Sequence, residues 1–114
     1  MHKVGFIGLG NMGKGMASNL TKNDVQVFGF DVDNSVFDEL KDANIKQEND
    51  LETLIKTSEV IITMLPDGPI VKKVWEQLIN FSDKDKVLID CSTIDVETSL
   101  EVQTLAKSKS IETL

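Results

Sequence analysis

The stretch Gly8-Leu9-Gly10-Asn11-Met12-Gly13 narrows the folds open to this chain more than any other feature. It follows directly on a mostly apolar run, residues 3–7, and opens a segment in which Met12, Met16 and Leu20 recur at the spacing of one helix face. A strand that turns through three glycines into a helix gives each glycine its own use. Gly8 allows the tight turn, Gly10 leaves the main chain open to close approach, and Gly13 lets the helix pack on the strand. The helix N-terminus adds unpaired N–H groups and a partial positive charge, which together suit a diphosphate. A glycine turn that merely packs a helix on a strand remains the alternative, and the rest of the chain has to decide.

Asp31 favours the ligand reading. It closes a second apolar run, residues 25–31, and lies 18 residues past Gly13, near the roughly 20 at which such folds place a carboxylate for a ribose hydroxyl pair. Runs at residues 60–64 and 87–89 read as further strands, with a weak short one near Ile45. They are nearly continuous in apolar residues, as strands covered on both faces are. Leu51, Leu54 and Ile55, and then Val71, Val74, Trp75, Leu78 and Ile79, keep helical spacing between them. Asp67 before Gly68-Pro69, and Asp95 before residues 96–107, supply cap acceptors for the last two helices. This alternation predicts an α/β fold, a Rossmann-type doubly wound parallel sheet with helices on both faces. The 114 residues leave room for one such domain. Residues 110–114 start an apolar run that stops without a turn, so residues 111–114 are read as the first half of another strand and the sheet as C-terminally incomplete.

Charge and composition remove other classes. The net charge is −7, and all 12 basic residues are Lys. Nucleic acid is disfavoured, because its binding needs clustered cations. No apolar run approaches the roughly 20 residues of a membrane helix. With a strand starting near Lys3, no targeting segment is expected and a cytoplasmic protein is the default. Cys91 is the only cysteine, which excludes a disulfide framework; it reads as a small buried residue with no neighbouring cation to activate it. His2, also single, has no evident partner for a relay or a metal, and no metal site is expected. Asp33, Asp38 and Glu39 read as a solvated helix start. Met12, Met16 and Met64 read as packing around the first helix, and Lys14, Lys72 and Lys73 as scattered surface charges.

The glycine turn, Asp31, Met64-Leu65-Pro66 and Asp90-Cys91-Ser92-Thr93-Ile94 occur in one order in which the chain resembles the β-hydroxyacid dehydrogenase family. That family contains 3-hydroxyisobutyrate dehydrogenase, tartronate semialdehyde reductase and 6-phosphogluconate dehydrogenase. The resemblance runs over residues 4–114 and is especially plain from Phe6 through Gly13, then at Met16-Ala17 and Asn19-Leu20. It implies an N-terminal dinucleotide-binding domain over residues 1–114, part of an oxidoreductase of small 3-hydroxy acids or their semialdehydes. Gly8, Leu9, Gly10, Asn11, Met12, Gly13 and Asp31 would hold the cofactor's adenosine and diphosphate. Leu65 and Pro66 would pass under the nicotinamide, while Ser92 and Thr93 would sit where the substrate carboxylate meets the nicotinamide ribose. Read without the family, Ser92 and Thr93 are better taken as a turn capping the following helix.

NAD is the expected cofactor and NADP the disfavoured one. A carboxylate at Asp31 repels a 2′-phosphate, and the phosphogluconate enzymes typically carry an Arg just after this strand where this chain has none. Two positions depart from the family pattern: Val96 stands where many members have Pro, and Ile70 where some have Asn. The resemblance places the catalytic Lys, a glycine-rich substrate loop and a helical second domain beyond position 114. No catalytic residue is therefore assigned here, and the chain alone is expected to bind NAD weakly and turn over nothing. The longer form is expected to be a homo-oligomer acting on a small-molecule substrate. Two rivals stay open: a non-catalytic nucleotide-binding module, and a domain for another adenosine compound such as S-adenosylmethionine. The second gives no reason for the Asp-Cys-Ser-Thr segment.

Overall fold

A computed structural model describes residues 2–40, 44–65, 67–82, 86–92, 96–108 and 112–113. In chain order these form β1 (His2–Ile7), α1 (Asn11–Leu20), β2 (Val25–Phe30), a 3-10 helix (Asn34–Leu40), β3 (Ile45–Gln47) and α2 (Leu51–Thr57). They continue with β4 (Val60–Thr63), α3 (Gly68–Phe81), β5 (Val87–Asp90), α4 (Val96–Ser108) and β6 (Glu112–Thr113). All pairings are parallel, and the sheet order is β3-β2-β1-β4-β5-β6. This is the doubly wound order the alternating pattern predicts, with the chain reversing direction across the sheet between β1 and β4.

Successive strand side chains point to opposite faces, so two apolar faces need two layers of cover. Phe6, Val27 and Ile62 face one side, where α1 contributes Ala17, Met16 and Leu20 and the 3-10 helix contributes Leu40, Val36 and Phe37. Ile7, Phe28, Ile61 and Leu88 face the other, under Leu54 and Ile55 of α2, Val71, Trp75, Leu78 and Ile79 of α3, and Val102 and Ala106 of α4. At roughly 25 cal/mol per Å² of buried apolar surface, these two layers are the main source of stability.

Local chemistry sets the helix starts. The Asp67 carboxylate accepts from the Ile70 N–H at 3.0 Å, and Pro69 sits in the first turn of α3, as expected. Asp50 does the same for α2, accepting from Glu52 N and from Thr53 Oγ1 at 2.9 Å. Asp95, expected to cap α4, lies outside the described residues. Of residues 111–114, expected as a strand, Glu112 and Thr113 pair with Val87 and Leu88 while Ile111 and Leu114 lie outside the description.

Three sequence expectations need correction. His2 does have a partner: it opens β1 and its Nδ1 lies 3.0 Å from Glu59 Oε2. Lys72 is not a lone surface charge, because its Nζ meets Glu101 Oε2 at 2.8 Å and ties α3 to α4. Met12 does not pack with Met16 and Met64; it is 69% exposed. Among the described residues no helix is long and apolar enough to cross a membrane.

Candidate functional site

Because every strand runs the same way, Gly8, Asp31, Leu65 and Ser92 all emerge along one edge of the sheet, at the point of chain reversal. The turn after β1 is packed on two sides and open on the third. Gly8 has φ +96°, and a Cβ there would overlap the Met64 carbonyl. Its N–H donates to the Phe30 carbonyl at 3.0 Å, which fastens the turn to β2. A Cβ on Gly13 would overlap the Gly8 carbonyl oxygen, so only glycine lets α1 pack this closely. Around Gly10 no atom lies within 4 Å of where a Cβ would stand. Gly10 brings no side chain to cap α1, and the first turn carries no acid. The chain therefore leaves amides and space together where a diphosphate fits.

Asp31 sits against this turn. Its Oδ2 accepts from the Leu9 N–H at 2.7 Å and its Oδ1 from the Asp33 N–H at 2.9 Å. Each oxygen keeps a further lone pair for an outside donor. Asp33 is occupied locally, accepting from the Ser35 hydroxyl at 2.6 Å and the Ser35 N–H at 3.0 Å. Those bonds hold its carboxyl below the usual carboxylate range. A cleft of about 560 Å³ runs from here across the turn, lined by Gly8, Gly10, Asp31, Val36, Leu65 and Ile70 among others. That volume lies within the range of small-ligand and cofactor sites, roughly 300–1,000 Å³. Met12 stands on its wall, and so does Ile70, where some family members have Asn. The side chain of Asn11 lies outside the description.

Next to the Leu65 wall of the cleft, β4 and β5 finish side by side, with Thr63 and Asp90 in register. Ser92 does not simply cap α4: its hydroxyl accepts from the Leu65 N–H at 2.6 Å. Its own N–H donates to Asp90 Oδ1 at 3.0 Å. Thr63 Oγ1 donates to the same carboxylate oxygen at 2.9 Å and accepts from the Trp75 indole N–H at 3.0 Å. Pro66 and Thr93, the remaining expected site residues, lie outside the described residues. Thr63, Trp75 and Asp90 were given no site role from the sequence, although Asp90 opens the Asp-Cys-Ser-Thr segment and Trp75 lies on the helical stripe. The available signal was the single Trp on the buried stripe of α3, since a buried indole N–H needs an acceptor. Cys91 is only partly buried, not fully buried as expected, and that burial, and then the neighbouring Asp90, push its thiol upward from its ordinary pKa. No group of three or more His, Cys, Asp or Glu among the described residues could hold a metal ion.

Comparison with known proteins agrees with this geometry. Residues 3–114 match the family described as the NAD binding domain of 6-phosphogluconate dehydrogenase. The chain is 38% identical over 107 residues to the probable mitochondrial 3-hydroxyisobutyrate dehydrogenase of Dictyostelium discoideum, covering 91% of this chain and 33% of that protein. It is 37% identical over 107 residues to the mitochondrial 3-hydroxyisobutyrate dehydrogenase of Drosophila melanogaster, with the same coverage. Among solved structures, Mycobacterium tuberculosis 3-hydroxyisobutyrate dehydrogenase with L-serine superposes with a TM-score of 0.93 at 30% identity, covering 99% of this chain and 39% of that one. The chain thus spans about a third of the length of the relatives it matches.

Proposed function

The chain belongs to the family of the NAD binding domain of 6-phosphogluconate dehydrogenase, and we propose that residues 1–114 are the dinucleotide-binding domain of an NAD-dependent dehydrogenase of small 3-hydroxy acids. The observation that carries this is the Asp31 carboxylate held 2.7 Å from the Leu9 amide, beside an uncapped helix start. The dinucleotide lies with its adenosine ribose at Asp31, its diphosphate over Gly8, Gly10 and the first amides of α1, and its nicotinamide half toward Leu65, Pro66 and Thr93. When bound, the nicotinamide supplies or accepts the hydride that interconverts hydroxyl and carbonyl. The chain's own contribution is to orient that ring and keep water from it: Leu65 and Ile70 present apolar surface there, and Ser92 with Thr93 offers neutral donors to a substrate carboxylate. The M. tuberculosis relative was solved with L-serine, a small hydroxy acid, which supports this substrate class.

NAD is preferred over NADP because Asp31 presents negative charge where a 2′-phosphate would stand. Titration calorimetry with both dinucleotides tests this, with NAD binding at least about tenfold tighter, a difference of roughly 1.4 kcal/mol. Tighter binding of NADP overturns the role of Asp31. Proton transfer, by a Lys in a helical second domain, and assembly through that domain belong to the same proposal. The 114-residue chain therefore binds NAD and catalyses no oxidation of 3-hydroxyisobutyrate; measurable NADH formation by it contradicts that division of labour.

A further inference from the structure

The ends of β4 and β5 are joined by side chains rather than by the ladder. The last ladder bond is from Cys91 N–H to the Thr63 carbonyl at 2.8 Å. Beyond it Leu65 and Ser92 enter separate loops, and what the description shows holding them is the Ser92 hydroxyl on the Leu65 amide and the Asp90 carboxylate on the Ser92 amide. Behind Asp90 stands Thr63, fully buried, and behind Thr63 the indole of Trp75, 1% exposed. The direction of every bond is dictated by chemistry. An indole N–H can only donate and a carboxylate oxygen accepts. Thr63 must accept from Trp75 and give its one proton to an acceptor, of which Asp90 Oδ1 at 2.9 Å is nearer than the Ile89 carbonyl at 3.4 Å. Trp75 also belongs to α3, whose Ile70 and Val74 form a wall of the cleft. One chain of bonds therefore connects a cleft wall, the end of β4 and the end of β5.

We propose that Thr63 and Asp90 are positioning residues that set the spacing of Leu65 and Ser92, and thereby the grip on the nicotinamide ring of the dinucleotide. The inference rests on the dinucleotide reading above. With adenosine at β2 and diphosphate at β1, the remaining half of the ligand reaches the ends of β4 and β5, where this network lies. None of these bonds involves Asp31 or the glycine turn, which anchor the adenosine half.

ADP-ribose shares the adenosine, the diphosphate and the second ribose of NAD and lacks only the nicotinamide ring, so the pair of ligands isolates the ring's share of the grip. Thr63→Val keeps the shape and removes the hydroxyl. It is expected to weaken NAD by about 5–10-fold, the worth of one net hydrogen bond, while ADP-ribose affinity stays within about twofold. Thr63→Ser returns the hydroxyl and restores NAD affinity. A Val variant that weakens both ligands equally, or neither, overturns the positioning role while ADP-ribose binding by the unmodified chain keeps the dinucleotide reading standing. An unmodified chain that binds neither ligand overturns both. Trp75 is the only tryptophan, which gives a second measurement needing no variant. NAD is expected to shift its fluorescence emission and ADP-ribose is not, and an equal response to the two ligands counts against the network.

Discussion

Gly8, Gly10 and Gly13 are equivalent as letters in a motif and differ in what surrounds them. Gly13 abuts the Gly8 carbonyl and Gly10 faces open space, so substitution by Ala separates structure from function. Gly13→Ala should lower stability by about 1–3 kcal/mol, the usual cost of forcing atoms into a packed interior, read as a drop in thermal midpoint. Gly10→Ala should cost about 1 kcal/mol or less, as a cap change, yet weaken NAD at least about tenfold. An Ala at Gly10 that leaves NAD affinity intact would remove the diphosphate from this turn. Cys91 permits a reactivity test. With its pKa raised by burial and by Asp90, the protonated thiol dominates at neutral pH and the thiolate fraction grows only as pH rises beyond the ordinary thiol range. Iodoacetamide should therefore alkylate Cys91 more slowly than free cysteine at pH 7.5, followed by mass spectrometry, and a rate equal to or above that of free cysteine contradicts the shift. The motif was legible because each glycine's role depends on its immediate neighbours. Met12 was misread because helical periodicity says which face of α1 turns inward, and not that an open cleft rather than a packed neighbour lies beside its first turn.

Among elements, α3 shows most plainly how local signals become structure. Asp67, Pro69 and the stripe from Val71 to Ile79 are all contiguous in sequence, and each performs as expected. Removing the cap by Asp67→Ala should cost about 1 kcal/mol, measured by urea unfolding; a change below a few tenths would mean that packing of Trp75 and Leu78 alone defines the helix start. The pairing of Lys72 with Glu101 tests the opposite limit. It raises the Lys72 pKa, chiefly through the hydrogen bond to Glu101, but both side chains are about half exposed, and solvent screens such a pair so strongly that it adds little to stability. The 3-10 helix over Asn34–Leu40 was legible only as a helix start, since seven residues hold too little periodicity to tell a tight helix from an α-helix. Asp38 does lie outward, and Asp33, just before the helix, is folded onto Ser35.

At the scale of the molecule, alternating strands and helices were enough to anticipate the sheet, because parallel strands need crossovers and two apolar faces need two layers. The link from Trp75 through Thr63 to Asp90 was not, since its members lie 12 and 27 residues apart and meet only once β4 and β5 are paired. Net charge poses the remaining question, how a chain at −7 with no Arg retains an anionic ligand. In the proposed site attraction comes from main-chain amides and the start of α1, short-range dipoles that salt screens little, whereas repulsion comes from the diffuse surface charge, which salt screens strongly. The Debye length shrinks from about 30 Å at 0.01 M salt to about 10 Å at 0.1 M, so raising sodium chloride across that interval removes repulsion and spares the cradle. NAD affinity should then stay level or rise. A site that held the diphosphate with Lys side chains would behave the other way, losing affinity as its ion pairs were screened. Calorimetric titration of NAD at the two salt concentrations and one pH distinguishes them, and a several-fold loss of affinity at the higher salt would reassign the diphosphate from the amides of α1 to lysine.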